Sequence, residues 1–212
     1  MPAPTPSHSA FSAPAQRIIA AARAHLFTYG YSALTMDELA AELGMSKKTL
    51  YVHFPSKDAL VEAILLQFVG EVRTSADALF SDQSLSFTAK LHRFSEAMVQ
   101  RFSRIGPHLL RDLQRSAPKI YRKIEEFRHH NIPHIFGQIL RQGQAAGMVR
   151  ADLDPKLAIE FWRPAIQNLM HPDTLVRLQL RPDQVFTQAI TLFFGGLLTP
   201  AGRKEHEKLF AR

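Results

Sequence analysis

TMDELAAELGMSKKTLYVHFPSK, residues Thr35 to Lys57, decides the reading of this 212-residue chain. Thr35 and Glu38 stand at the S/T-x-x-E spacing of a capping box, which predicts a helix start there. Leu39, Ala40 and Leu43 give that helix an apolar face, and Gly44 ends it where a left-handed residue is needed. Ser46 caps a second helix almost at once, and Lys47, Lys48, Thr49 and Tyr51 follow within about one and a half turns. Two capped helices joined by a turn of a few residues make a helix-turn-helix, a device whose second helix enters the major groove of DNA.

The flanks extend the pattern. Upstream, RIIAAARAHLFTYGYSALTM (17–36) predicts a longer helix ending at Tyr29-Gly30-Tyr31. Downstream, TLYVHFPSKDAL (49–60) pairs Tyr51, His53 and Phe54 with a Lys57 that opens the next helix. This series resembles the N-terminal domain of the TetR/AcrR family of bacterial transcriptional regulators, over roughly Arg17 to Leu65. The remainder fits that family by its length and helical pattern.

The DNA-facing chemistry is read residue by residue. Lys47 and Lys48, at the start of the second helix, are long donors that reach guanine O6/N7 or a phosphate. Tyr51 and His53 offer polar tips, and Ser46 and Thr35 are caps placed to meet a phosphate as well. By the resemblance, Thr35, Thr49, Tyr51, His53 and Lys57 match positions that contact the DNA backbone, and Lys47, Lys48 and Tyr51 those nearest the bases. Neither lysine has the planar fork of an arginine, so the bases read are left open. Leu39, Ala40, Leu43, Gly44, Leu50 and Phe54 are expected to pack the three helices.

Charge adds little to this. The chain carries a formal +7, yet residues 1–60 hold five basic and four acidic side chains against 21 and 15 in residues 61–212. The excess is not concentrated at the helix-turn-helix, and the local trio Lys47, Lys48 and Lys57 is the relevant signal. With 46% apolar residues the chain can bury a real core. It has no cysteine, which excludes disulfides, a thiolate nucleophile and a cysteine-held metal; a reducing cytoplasm is the expected setting. The opening MPAPTPSHSAFSAP lacks a basic n-region and an apolar h-region, so a disordered arm is expected rather than a signal peptide. The longest apolar stretch, Ala189 to Leu198, is about half of a bilayer span of ~20 residues, and no membrane partner is expected.

Periodicity predicts helix almost throughout, hence an all-α fold. Helices are expected over Gln16–Tyr29, from Ser56 to about Phe80, Leu85–Arg104, a short one through Leu109–Leu113, Lys119–Arg141 with a kink at Pro133, Asp154–Met170, and Pro182 to about Phe194. The expected organisation is an arm (1–15), a three-helix DNA-binding domain (16–62) and a helical effector-binding and dimerisation domain (63–212). The domain boundary falls inside the helix after Ser56, and by resemblance that shared helix lets a ligand control DNA affinity.

Two apolar faces point to a second copy of the chain: Leu157, Phe161, Ala165 and Leu169 on one helix, and Val185, Phe186, Ala189, Ile190 and Phe193 on the next. Packed against their equivalents they would form a four-helix dimer contact. For an effector, the bulky and mixed side chains of the central helices are the candidates: Phe94, Met98, Phe102, His108, Arg111, Tyr121, His129 and Trp162. The same residues suit an ordinary helical core. His130 and His134 have i, i+4 spacing, but Pro133 lies between them and no His-Glu-x-x-His is present, so no metal is expected. No phosphate loop, nucleophile elbow or catalytic constellation is present, and neither catalysis nor a cofactor is expected.

The reading that follows is a ligand-responsive, dimeric repressor released from a palindromic operator by a small apolar or aromatic effector. Two alternatives stay open. One is a DNA-binding protein or activator without a small-molecule effector. The other is a helical sensor whose helix-turn-helix is vestigial.

Overall fold

A computed structural model describes residues 11–106 and 108–210. It is all-α, with eleven helices in chain order: α1 (Ala13–Tyr29), α2 (Met36–Glu42), α3 (Lys47–His53), α4 (Lys57–Ser81), α5 (Phe87–Ser103), α6 (Leu109–Ser116), α7 (Pro118–Ala145), α8 (Pro155–Leu169), α9 (Pro172–Leu178), α10 (Pro182–Leu197) and α11 (Pro200–Phe210). Among the described residues, extended pairing is limited to one antiparallel bridge, Val149 with Leu198.

Packing divides the chain into two units. The first comprises the residues through Val72 together with Arg104–Glu125, so α6 and the start of α7 pack with the N-terminal helices. The second comprises Arg73–Ser103 and Glu126–Arg212. Helices α4 and α7 each contribute to both.

In the first unit, α1 turns Ile18, Ile19, Ala22 and Leu26 inward, and they are joined by Leu34, Leu39, Ala40, Leu50, Leu60 and Ile64, all essentially inaccessible to water. The spacing of these residues at i, i+3/i+4 makes each helix one-sided, and burial of each aliphatic chain contributes about 1.5–3 kcal/mol. Arg23 ties α1 to α4 with a two-pronged ion pair to Glu71 at 2.8 and 2.9 Å. Its guanidinium lies over the rings of Phe27 and Phe68. Helix α1 begins at Ala13, three residues before the expected Gln16. Pro14 is tolerated in a first turn, and Ala15 is buried, so packing rewards the extra turn. Residues 1–10 of the expected arm lie outside the described residues.

In the second unit, α5 packs on α10 and α11, and α10 also meets α8. An aromatic core runs through it: Phe94 meets Phe80 and Phe136, and Phe136 in turn meets Trp162, Phe193 and Phe194, with ring centroids 5.1–6.3 Å apart. Val185, Phe186, Ala189, Ile190 and Phe193 are all buried here. The α10 stripe expected to face a second copy is therefore internal, because α5 and α8 cover it. Helix α7 continues through Pro133, whose cost of about 3 kcal/mol is opposed by the buried Ile135, Phe136, Ile139 and Leu140.

Helices α9 and α11 are additional to those that periodicity predicts. Each starts at a proline after a capping side chain: His171 Nδ1 accepts from Asp173 N–H, and Thr199 Oγ1 accepts from Gly202 N–H. This is the same signal that correctly marked Asp154-Pro155, where Asp154 accepts from Lys156 N–H at 2.8 Å.

Candidate nucleic-acid interface

The two helices of the expected motif are capped as their sequence requires. Thr35 Oγ1 accepts the Glu38 backbone N–H at 3.2 Å and donates to the Glu38 carboxylate at 2.7 Å. Glu38 thus takes the hydroxyl proton, a variant of the usual box in which it takes the cap's own N–H. Ser46 Oγ accepts the Thr49 N–H at 3.0 Å and shares a hydroxyl–hydroxyl bond with Thr49. Between the helices Gly44 sits at φ +64°, where a side chain would strain the turn.

Leu50 anchors α3 to the core with no exposed surface, which throws the opposite face outward. Lys47, Lys48, Thr49 and Tyr51 are all exposed, as are the caps Thr35 and Ser46, while His53 in the last turn is half-buried. Lys47 is not free: its ammonium pairs with Asp37 of α2 at 2.6 Å, bracing the two helices. Lys48 makes no ion pair among the described residues.

Lys57, at the first position of α4, is half-buried and held in place from several sides. Its ammonium lies 4.0 Å from the centre of the Tyr31 ring. Burial pushes its pKa down, against the pull of Asp112 and Asp58. Tyr31 donates its hydroxyl to Asp58 at 2.5 Å. Burial, and then that carboxylate, push the phenol up to about 12, so it is a neutral donor at pH 7. Asp112 of α6 accepts both the backbone N–H and the hydroxyl of Ser32 at 2.5 Å. Burial raises its carboxyl, but the bonds from Ser32 and Ser116 and the charge of Lys57 outweigh this and hold it below the usual carboxylate range.

Tyr31, Asp58 and Asp112 were missed as supports of the site. Tyr31 stood in the quoted Tyr-Gly-Tyr, but nothing in the sequence placed Asp112 next to Ser32, eighty residues away.

The eight effector candidates are divided between the two packing units. Phe94, Met98 and Trp162 are buried in the second unit's core, and Phe102 rests half-buried against Phe186 with ring centroids 5.1 Å apart. His129 is exposed beside Arg163. His108 and Arg111 are exposed and Tyr121 half-buried, all in the first unit. The indole N–H of Trp162 is buried without a hydrogen-bond partner among the described residues. The histidines are likewise apart: His130 bonds the Glu126 carbonyl, whereas His134 bonds Asp77 at 2.7 Å. Among the described residues no group of three or more metal-binding side chains gathers. No helix among them is long and apolar enough to cross a membrane.

Two capped helices at a four-residue turn, with the second one's polar face bare, define a helix-turn-helix DNA-binding protein. Comparison with known proteins agrees. Residues 18–64 match the family described as bacterial regulatory proteins, tetR family. The chain is 25% identical over 168 residues to an uncharacterised HTH-type transcriptional regulator, YvaF of Bacillus subtilis (strain 168), covering 79% of this chain and 87% of that one. It is 24% identical over 183 residues to the HTH-type transcriptional repressor DhaR of Mycobacterium sp. (strain GP1), covering 80% and 84%. The solved regulatory protein TetR from Rhodobacter sphaeroides superposes with a TM-score of 0.61 at 25% identity, over 88% of this chain and all of that one. Residues 18–64 thus carry the DNA-binding domain of the tetR family, and the relatives of the longer chain are transcriptional regulators.

Proposed function

We propose that this protein is a dimeric repressor that leaves a near-palindromic operator when a small apolar or aromatic effector binds its C-terminal domain. The bare face of α3 carries the DNA half of this reading. Lys48 and Tyr51 address base edges, while Thr35, Ser46, Thr49, His53 and Lys57 address phosphates, and Lys47 does either once it exchanges Asp37 for DNA. The organisation proposed is a DNA-binding domain over 16–62 and an effector and dimerisation domain over 63–212. The setting is the cytoplasm, where the operator lies.

Leu157 and Phe161 are 67% and 69% exposed one turn apart on α8, and Leu192 of α10 is 79% exposed. Three large apolar side chains left in water support a second copy packed on these helices. For the effector, Phe94, Met98 and Trp162 are the core members retained, and the unpartnered Trp162 N–H favours a ligand with a hydrogen-bond acceptor beside its apolar part. Repression rather than activation is supported by the repressor DhaR among the relatives.

The test is selection of bound sequences from a random duplex pool at physiological salt. A two-fold symmetric site, lost when Lys48 and Tyr51 are both changed to Ala in a still-folded protein, is expected. Unchanged binding by that variant overturns the reading. Steep salt dependence without sequence preference would point instead to a sequence-tolerant DNA binder.

A further inference from the structure

Val52 is the most exposed large apolar side chain of the first unit, at 76%. Its position is unusual for such a residue. On α3, at about 100° per residue, the direction opposite the buried Leu50 falls between Lys48 and Val52, which lie one turn apart on the same face. The two residues that point most directly away from the core are thus a lysine and a valine. A β-branched chain is a mediocre helix former, and here about three-quarters of it stands in water. A polar residue would serve better if this surface only faced water.

We propose that Val52 is a specificity-determining residue that contacts the C5-methyl group of a thymine in the major groove. This rests on the DNA-reading role assigned to α3. The thymine methyl is the one apolar feature on the major-groove edge of a base pair, and small apolar side chains are its natural partners. Lys48 on the same face supplies a donor for guanine O6/N7. Four residues of helix rise about 6 Å, close to two base-pair steps of about 3.4 Å. The half-site therefore carries a thymine within about two base pairs of the base that Lys48 contacts. Val52 supplies discrimination and Lys48 the charge, so the two should fail differently when altered.

The experiment uses the full chain and the duplex it selects from a random pool. Each thymine of that duplex is replaced in turn by deoxyuridine, which removes the methyl group and leaves pairing intact. Binding is followed by fluorescence anisotropy at fixed salt. At one thymine per half-site the loss of the methyl should weaken the wild type by about two- to fourfold per half-site. Val52→Ala should bind the thymine duplex with the same loss and show no further change with deoxyuridine. Val52→Thr, which keeps β-branching and one methyl, should retain part of the penalty. An equal deoxyuridine penalty in wild type and Val52→Ala, or none at any thymine, overturns the role of Val52 while leaving sequence reading intact. If no duplex is selected at all, the DNA-reading assignment of α3 fails and Val52's role fails with it.

Discussion

Asp112 Oδ2 accepts the backbone N–H of Ser32 at 2.5 Å, joining α6 to the turn that leads into the helix-turn-helix. Its other oxygen takes the Ser32 hydroxyl, so one carboxylate holds the turn twice. A segment far along the chain thereby fixes the approach to the helix-turn-helix.

Asp112→Ala should destabilise the protein by about 1 kcal/mol at neutral pH, a figure discounted for the partial exposure of the site. Because the folded carboxyl titrates below its unfolded value of about 3.9, its contribution is complete above that value. It is lost as pH falls through the lower folded value. Urea melts of wild type and variant should converge as pH drops towards 3. A difference that widens on acidification would contradict the assignment.

Gly30→Ala should cost more than a typical surface substitution. Gly30 sits at φ +91° with ψ near 180°, a region essentially reserved for glycine, and an added Cβ would lie 2.9 Å from Asp112 Oδ2. A loss of about 1–3 kcal/mol is expected. The double variant with Asp112→Ala should recover only the steric part, since the backbone strain persists. Calorimetry of the three variants separates the two contributions.

Asp37→Asn should tighten DNA binding. It releases Lys47 from its 2.6 Å ion pair and removes a negative charge beside the exposed face of α3. The pair is more than half exposed, so folding stability should change by less than about 1 kcal/mol. Binding that weakens in a stably folded variant would mean that Asp37 is needed to aim Lys47.

Lys57→Gln should weaken binding to all sequences alike and flatten the dependence of log K on log salt by about one unit per half-site. Tyr31→Phe keeps the ring beneath Lys57 and should have a smaller effect. A loss confined to one operator sequence would place Lys57 at a base instead.

On the proposed dimer, Phe161→Glu should give a monomer, because the substitution puts charge into the exposed apolar patch shared with Leu157. Sedimentation would show halved mass, and affinity for a two-half-site duplex should fall at least tenfold. A dimer of unchanged mass would move the interface elsewhere.

The helix-turn-helix was legible because its determinants are local. Caps at Thr35 and Ser46, a left-handed Gly44 and an apolar i, i+4 stripe each act within a few residues, so spacing alone reveals them. The missed helices α9 and α11 were legible by the same rule, through His171-Pro172 and Thr199-Pro200. The sites that the sequence left ambiguous depend on who covers whom. The stripe Val185–Phe193 and the stripe Leu157–Phe161 look alike as strings, yet α5 and α8 bury the first while Phe161 stays in water.

What the sequence by itself determined is the all-α fold, the helix-turn-helix and the exposed polar face of its second helix, because helix periodicity and capping are short-range physics. Only the tertiary structure decided that Asp112 secures Ser32, that Tyr31 carries Lys57, that Lys47 is tied to Asp37 and that Val52 stands outermost. The first three are contacts between separate elements and the last is the solvent exposure that core packing leaves to α3, so no local pattern encodes them.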